Sequence, residues 1–292
     1  MTGAVITYVY MNDPVWQEQY RRTVGGDPLA KRYRDWGTLK YLLRGIATFM
    51  PFVRTVHLVV SGKSQVPSWV SGEVHVVEHA DIIPEDLLPV FNSTAIEMFL
   101  WRIPGLAERF VYFNDDMFPV APISEDDLYS DGKAAMGYSR HLFAASLYKK
   151  QTKASDRLAR KALGKCHGVS FIRPQHICSP MLRSVSEEAF KAVEKDILAT
   201  VTTLREPFNP NQYFFLDYQL FSGHGIRRRL SSKHISLAVN SASDVEAFLH
   251  APSRSLACIN DVTMSDESFA ALKPRVEEAF RGLLPDKSRF EL

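Results

Sequence analysis

The chain is poor in several features that would narrow its role at once. Three cysteines in 292 residues, Cys166, Cys178 and Cys258, are an odd number without Cys-x-x-Cys spacing. That argues against a disulfide framework or a zinc knuckle and points to reducing surroundings, the cytosol. No run approaches the roughly 18 apolar residues of a membrane span, so membrane contact is expected at most at the periphery. The first apolar stretch has no basic residue ahead of it and turns at Asn12, Asp13 and Pro14, which reads as a first strand rather than a signal peptide. With 35 Lys plus Arg against 33 Asp plus Glu, the formal net charge is +2, and no global field argues for nucleic acid. Internal repeats and low-complexity linkers are absent.

What is present is ordinary globular material, 46% hydrophobic and 23% charged, enough to bury a large core. Val5 to Tyr10 predicts a strand and Trp16 to Arg22 a helix. Leu39, Leu42, Leu43 and Ile46 recur at helical spacing before Pro51, and further strands are expected at Val56 to Val60 and Val74 to Val77. Asn92 and Ser93 can cap a helix with Glu97 in its first turn. Helices are also expected at Ser186 to Leu198, Tyr213 to Phe221 and Glu267 to Leu284, and a loop at 122 to 133. Alternating strand and helix favours an α/β fold with a mainly parallel sheet, and such sheets bind ligands beyond the carboxyl ends of their strands.

The chain is organised around RFVYFNDDMF, Arg109 to Phe118. Four apolar or aromatic residues run straight into Asn114, Asp115 and Asp116. Adjacent carboxylates cannot stay in a dry interior uncompensated; they must reach water, meet cations or hold a metal. LACINDV repeats the pattern, an apolar run ending in Asn260 and Asp261. Asp13, Arg44, Asn92, Glu97, Arg102, His176 and Arg205 also stand near strand or helix ends. Singly, each has a structural explanation as a cap, a surface ion pair or a packed histidine. From Lys149 to Lys165, seven cations face only Asp156, a segment that reads as a solvated helix face or as a contact for an anionic polymer or lipid headgroups.

Taken in order, these segments resemble the Stealth family, which includes bacterial capsule sugar-1-phosphate transferases and the catalytic subunit of the animal lysosomal N-acetylglucosamine-1-phosphotransferase. A first region is similar to ITYVYMNDPVW. A second is similar to RYRDWGTLKYLLRGI, PFVRTVHLVVSGKSQVPSWV and FNSTAIEMFLWRIPGLAERFVYFNDDMF. A third is similar to HICSPMLRSV with the later aromatic stretch, and a fourth to ACINDV with LPDKSRFEL. Gly3, Tyr10, Thr38, Thr94, Phe99 and Trp101 depart from the family pattern.

The resemblance implies a Rossmann-like, nucleotide-sugar-transferase sheet of the GT-A type flanked by helices, with an added helical region. One catalytic domain is expected over 1–292: an α/β core at 1–140, a helical part at 141–250, and a returning segment with the last helix at 251–292. It further implies transfer of a hexose- or hexosamine-1-phosphate from a nucleotide sugar, typically uridine-diphosphate-linked, to a hydroxyl of a growing or lipid-linked glycan in surface polysaccharide synthesis. Under this reading Mg²⁺ or Mn²⁺ sits at Asp115, Asp116 and Asp261, and Arg44, Arg102 and Arg205 clamp phosphate. His176 is the general base, while Asn92, Asn114, Asn260, Asp13 and Glu97 serve substrate binding. The site is then cytoplasmic, with the membrane's inner face as a peripheral contact. Two alternatives stand beside it: a metal-dependent glycosyltransferase that forms a glycosidic bond, and a noncatalytic carbohydrate-binding relic.

Overall fold

The structure, a computed structural model, describes residues 1–29, 33–237, 239–260 and 264–292. Its main sheet has five strands in the order β10-β4-β1-β2-β3, formed by β1 (Thr2–Thr7), β2 (Val53–Val60), β3 (Val74–Glu78), β4 (Arg109–Asn114) and β10 (Ser179–Leu182). The first four run parallel and β10 closes the β4 edge antiparallel. Residues 3–6 of β1 and 110–113 of β4 are buried on both faces, which is why these strands read as unbroken apolar runs. Register levels their carboxyl ends: Thr7 pairs with Val59 on one side and Asn114 on the other. After β3 the chain crosses back to β4, so strand order reverses between β1 and β4, the usual crevice for a ligand.

Flanking helices cover both faces: α1 (Pro14–Val24), α2 (Leu39–Phe49), α3 (Ser93–Glu97), α4 (Leu147–Ala162), α5 (Arg183–Ala192), α6 (Tyr213–Ser222), α7 (Ala242–His250) and α8 (Asp266–Leu283). One core cluster runs from Ala4 to Phe290, and a smaller aromatic cluster joins Trp16, Tyr20, Tyr33 and Phe91. Asn92 caps α3 through the Thr94 amide, as its position in the sequence predicts, and Asp13 caps α1 through the Val15 amide. The helix capped at Asn92 stops at Glu97, and a single 3₁₀ turn follows at Leu100–Arg102.

Short strands missing from the periodicity build the rest: β5 (Met117–Pro119), β6 (Tyr129–Ser130), β7 (Lys133–Met136), β8 (Tyr138–His141), β9 (Phe171–Pro174), β11 (Gly225–Arg227), β12 (Ser232–Ser236) and β13 (Leu256–Asn260). The stretch expected to be helical, 141–250, therefore mixes helices with strands. Most consequential is the sheet β12-β13-β5, in which β13 lies antiparallel to β5 with Cys258 opposite Met117. It brings the second Asn-Asp ending onto the first. α2 reaches this sheet at Gly45, where an added Cβ would lie 2.5 Å from the Pro119 carbonyl oxygen. Only glycine allows that approach without displacing β5.

The basic segment is α4 and the turn after it. Its inner face is polar: Asp156 is buried, holds Arg160 at 2.8 Å and accepts the Ile172 amide at 3.1 Å. Lys161 pairs with Asp196, and Lys165 donates to the Phe221 carbonyl. Three of the seven cations thus have partners within the chain, Lys161 and Lys165 at its surface.

Candidate active site

A cleft of about 1200 Å³ opens at the carboxyl ends of the parallel strands. β4 delivers Asn114, Asp115 and Asp116 into it, and a buried hydrogen-bond chain fixes their base. The Tyr112 hydroxyl lies 2.6 Å from Asn114 Oδ1, 3.2 Å from Glu97 Oε1 and 2.9 Å from Thr7 Oγ1. Glu97 also accepts the Gln212 amide at 2.8 Å. Burial raises the Glu97 carboxyl to about 7. When protonated it can donate to Tyr112, leaving the phenol proton for Asn114.

Asp116 meets β13 and His176. Its carbonyl accepts the Ile259 amide at 2.9 Å, and its Oδ2 lies 3.5 Å from Cys258 Sγ and 3.7 Å from His176 Nε2. Asp116 Oδ1 and Asn260 Oδ1 are buried with no hydrogen-bond partner among the described residues. Burial, then the charges of Asp116 and Asp35, raise Asp115 to about 7. Burial, then Asp116, pushes the Cys258 thiol up, so it stays a protonated donor. Orphaned buried oxygens among crowded acids fit a divalent cation, and ligand atoms of Asp116, His176 and Cys258 lie within 4.8 Å of one another.

His176 follows β9. Its Nδ1 is 3.0 Å from the Tyr213 hydroxyl, which is 2.8 Å from that of Tyr148. If Nδ1–H donates to Tyr213 and Tyr213 donates to Tyr148, the Nε2 lone pair faces the acids and can take a proton. His234 of β12 stands with its ring centre 6.3 Å from that of His176. Burial, then His176, lowers its affinity for a proton. Arg205 borders the cleft and donates to Ser93 Oγ at 2.6 Å. Its charge eases ionisation of both Asp115 and Glu97.

Of the residues singled out from sequence, Asn114, Asp115, Asp116, His176, Arg205 and Asn260 line this one cleft. Asp261 lies outside the described residues. Five others are placed elsewhere, which corrects the roles expected of them. Arg44 cannot clamp phosphate, because Glu291 takes its Nε and Nη2 at 2.9 and 2.8 Å and the Leu284 and Pro285 carbonyls take Nη1. Its guanidinium pins the closing LPDKSRFEL segment to α2. Arg102 is exposed and does not border the cleft. Asp13 is held by Ser64 and Gln65 as well as by its cap, and Asn92 spends its amide on Thr202, Leu204 and Asn209. Glu97 is buried beneath Tyr112 and acts on the site through it.

Sequence reasoning missed Asp35, Cys258 and His234, all close to the acids. Asp35 lies within RYRDWGT, where its carboxylate accepts the Gly37 amide at 2.8 Å in a turn that glycine's positive φ of 70° permits. Cys258 stands two residues before Asn260 on β13, hence on the same face, and His234 is opposite it in the β12 register. Alternation along LACIN was the available signal for Cys258; nothing in SSKHIS marks His234.

A parallel sheet with acids at its switch point, a histidine and buried unpartnered oxygens define a site suited to an oxygen-bound cation and an anionic substrate. The family model for Stealth protein CR2, conserved region 2, matches residues 32–136. The chain is 31% identical to the capsular polysaccharide phosphotransferase WcwK of Streptococcus pneumoniae over 99% of this chain and 98% of that one. It is also 31% identical to the receptor polysaccharide phosphotransferase WefC of Streptococcus oralis, with the same coverage. The chain belongs to the Stealth family. Among solved structures, a galactosyltransferase LgtC bound to donor and acceptor sugar analogues is similar at a TM-score of 0.45 and 11% identity over 98% of each chain, a distant likeness.

Proposed function

We propose that the protein is a polysaccharide phosphotransferase that moves a hexose- or hexosamine-1-phosphate from a nucleotide sugar to a glycan hydroxyl. The observation that carries this reading is the meeting of Asp115 and Asp116 from β4 with His176 and Asn260 in one cleft, in a chain of this family. Asp115, Asp116 and the Asn260 side-chain oxygen Oδ1 would hold Mg²⁺ or Mn²⁺, with Asp261 as the further ligand implied by the sequence. Such an ion, when bound, supplies charge neutralisation at the donor pyrophosphate. Arg205 contacts phosphate oxygens, and Asn114 is held in place by Tyr112. His176 Nε2 takes the proton from the acceptor hydroxyl as its oxygen attacks the sugar-bearing phosphorus. The bond to the bridging oxygen breaks, its electron pair leaves with the nucleoside monophosphate, and a phosphodiester results.

The meeting of Asp115 and Asp116 with His176 in one cleft supports catalysis over a binding relic. We assign a uridine-diphosphate-linked donor, a growing or lipid-linked glycan acceptor and a cytoplasmic site of action from the resemblance. No described helix is long and apolar enough to cross a membrane. Peripheral membrane contact is supported by exposed Leu142, Phe143 and Val169, which flank the same end of the β8–β9 ladder beside Lys149 and Lys150. Loss of vesicle co-sedimentation in Phe143→Asp is expected; unchanged co-sedimentation contradicts that contact.

Phosphorus NMR of the products tests the reaction. Nucleoside monophosphate together with a phosphodiester is expected from a nucleotide sugar panel. Nucleoside diphosphate with a glycosidic bond would replace this reading by the glycosyltransferase one.

A further inference from the structure

The cleft is lined by cations as well as by acids. Arg173 of β9, Arg227 of β11 and Arg229 just beyond it all border it, and none of the three forms an ion pair among the described residues. Elsewhere arginines are matched, as in Arg44 with Glu291, Arg160 with Asp156 and Arg275 with Glu246.

The backbones that carry these three are locked together. Arg173 pairs with Ser139 across the β8–β9 ladder, and Arg227 lies over the ring of Tyr138 at 4.8 Å. Gln175, two residues after Arg173, accepts the Leu230 amide at 2.9 Å and donates to the Leu230 carbonyl and to Ser232 Oγ, each at 3.2 Å. At Gly137 an added Cβ would lie 2.9 Å from Arg229 Cα, so the absence of a side chain there is what lets the two backbones pack this closely. Three guanidinium groups on a preformed frame, none of them in an ion pair among the described residues, favour an anion. Their planar forks suit phosphate oxygens.

Position selects which anion. The acids and Arg205 form the donor end, whereas Arg173 stands on β9 three residues before His176, the base that meets the acceptor hydroxyl, and borders the same cleft. A ligand that reaches His176 from this side is the acceptor. Each transfer creates a phosphodiester, so an acceptor that has been through one cycle carries such an anion close to its next hydroxyl.

We infer that Arg173, Arg227 and Arg229 bind a phosphate group of the acceptor, making the protein selective for glycans that already carry a phosphodiester or diphosphate. This rests on the transfer reading above, yet it is tested without turnover.

Calorimetry on the full chain, without donor, would compare a phosphodiester-linked disaccharide with the same disaccharide lacking phosphate, and an alkyl-diphosphate-linked sugar with its alkyl glycoside. The better-bound phosphorylated probe separates a chain phosphodiester from a lipid diphosphate as the source. A preference of about tenfold at low salt is expected, shrinking as salt rises. In Arg173→Gln/Arg227→Gln, and in the exposed single variant Arg229→Gln if the pair does not fold, that preference should fall to within about threefold while nucleotide-sugar affinity is unchanged. Equal binding of charged and neutral probes overturns the inference, as does a preference that survives the substitutions. Proportional loss of nucleotide-sugar affinity would assign the arginines to the donor instead.

Discussion

Carboxyl ends of long parallel strands form one wall of the cleft, while the other hangs on β8, β9 and β11, strands of four, four and three residues. The first wall concentrates Asp35, Asp115 and Asp116, and the second presents Arg173, Arg227 and Arg229. His176 stands between them, tied to α6 through Tyr213. Crowded acids favour a bound cation, and arginines without ion pairs among the described residues favour a bound anion. A single fold thus holds two opposite charge requirements a few residues apart, which suits bringing a metal-bound donor against an anionic acceptor.

Substitution at the acid wall should break the comparison most severely. Asp115→Ala is expected to bring transfer down to background, a loss of about a thousandfold or more, while the thermal midpoint stays level or rises because a desolvated carboxyl has gone. Product formation and a circular dichroism melt check both halves; near-normal transfer removes the acids from the chemistry. His176→Ala comes next, with about 10²- to 10⁴-fold lost in kcat and donor binding kept, as followed by steady-state kinetics and calorimetry. Retained kcat would leave the deprotonation to another group.

Stability separates pinning residues from chemical ones. Arg44→Met leaves Glu291 buried without its partner, and should cost about 3–5 kcal/mol in a urea titration while activity per folded molecule is retained. A large rise in donor KM at unchanged stability would return Arg44 to the phosphate. The smallest effect is a pH slope. Burial holds the Glu97 carboxyl at about 7 against an ordinary 4.5, so the fold keeps a proton that the unfolded chain has released. Stability from this group is fully present below about 4.5 and is lost as pH rises through 7, a span worth roughly 3 kcal/mol. Urea midpoints of Glu97→Gln should therefore fall less than wild type between pH 5 and 8; parallel slopes would mean Glu97 is already ionised in the fold.

The two walls also differ in what could be read from residues alone. Strands buried on both faces leave continuous apolar runs, so β1, β2 and β4 were legible, and Asp115 and Asp116 stood out because charge follows hydrocarbon without a break. Strands of three or four residues carry too little alternation to register, and β5, β8, β9 and β11 went unseen. With them went Arg173, Arg227 and Arg229, which lie in stretches that look like ordinary polar loop. Arg44 shows the opposite error. An arginine in an apolar helix suggests a ligand, and only the return of the C-terminal segment reveals Glu291 as its buried partner. Long-range pairing between β5 and β13 decides the site, and no local pattern encodes it.

Anomalous scattering from crystals grown with manganese and a nucleoside diphosphate hexosamine bears most directly on the central claim, that the turn after β4 and the end of β13 jointly hold a cation beside His176. The account predicts one peak in coordinating contact with Asp116 and the Asn260 side-chain oxygen, with the donor's pyrophosphate against it. A peak bound elsewhere, or an ordered donor whose pyrophosphate lies away from Asp115 and Asp116, would contradict it.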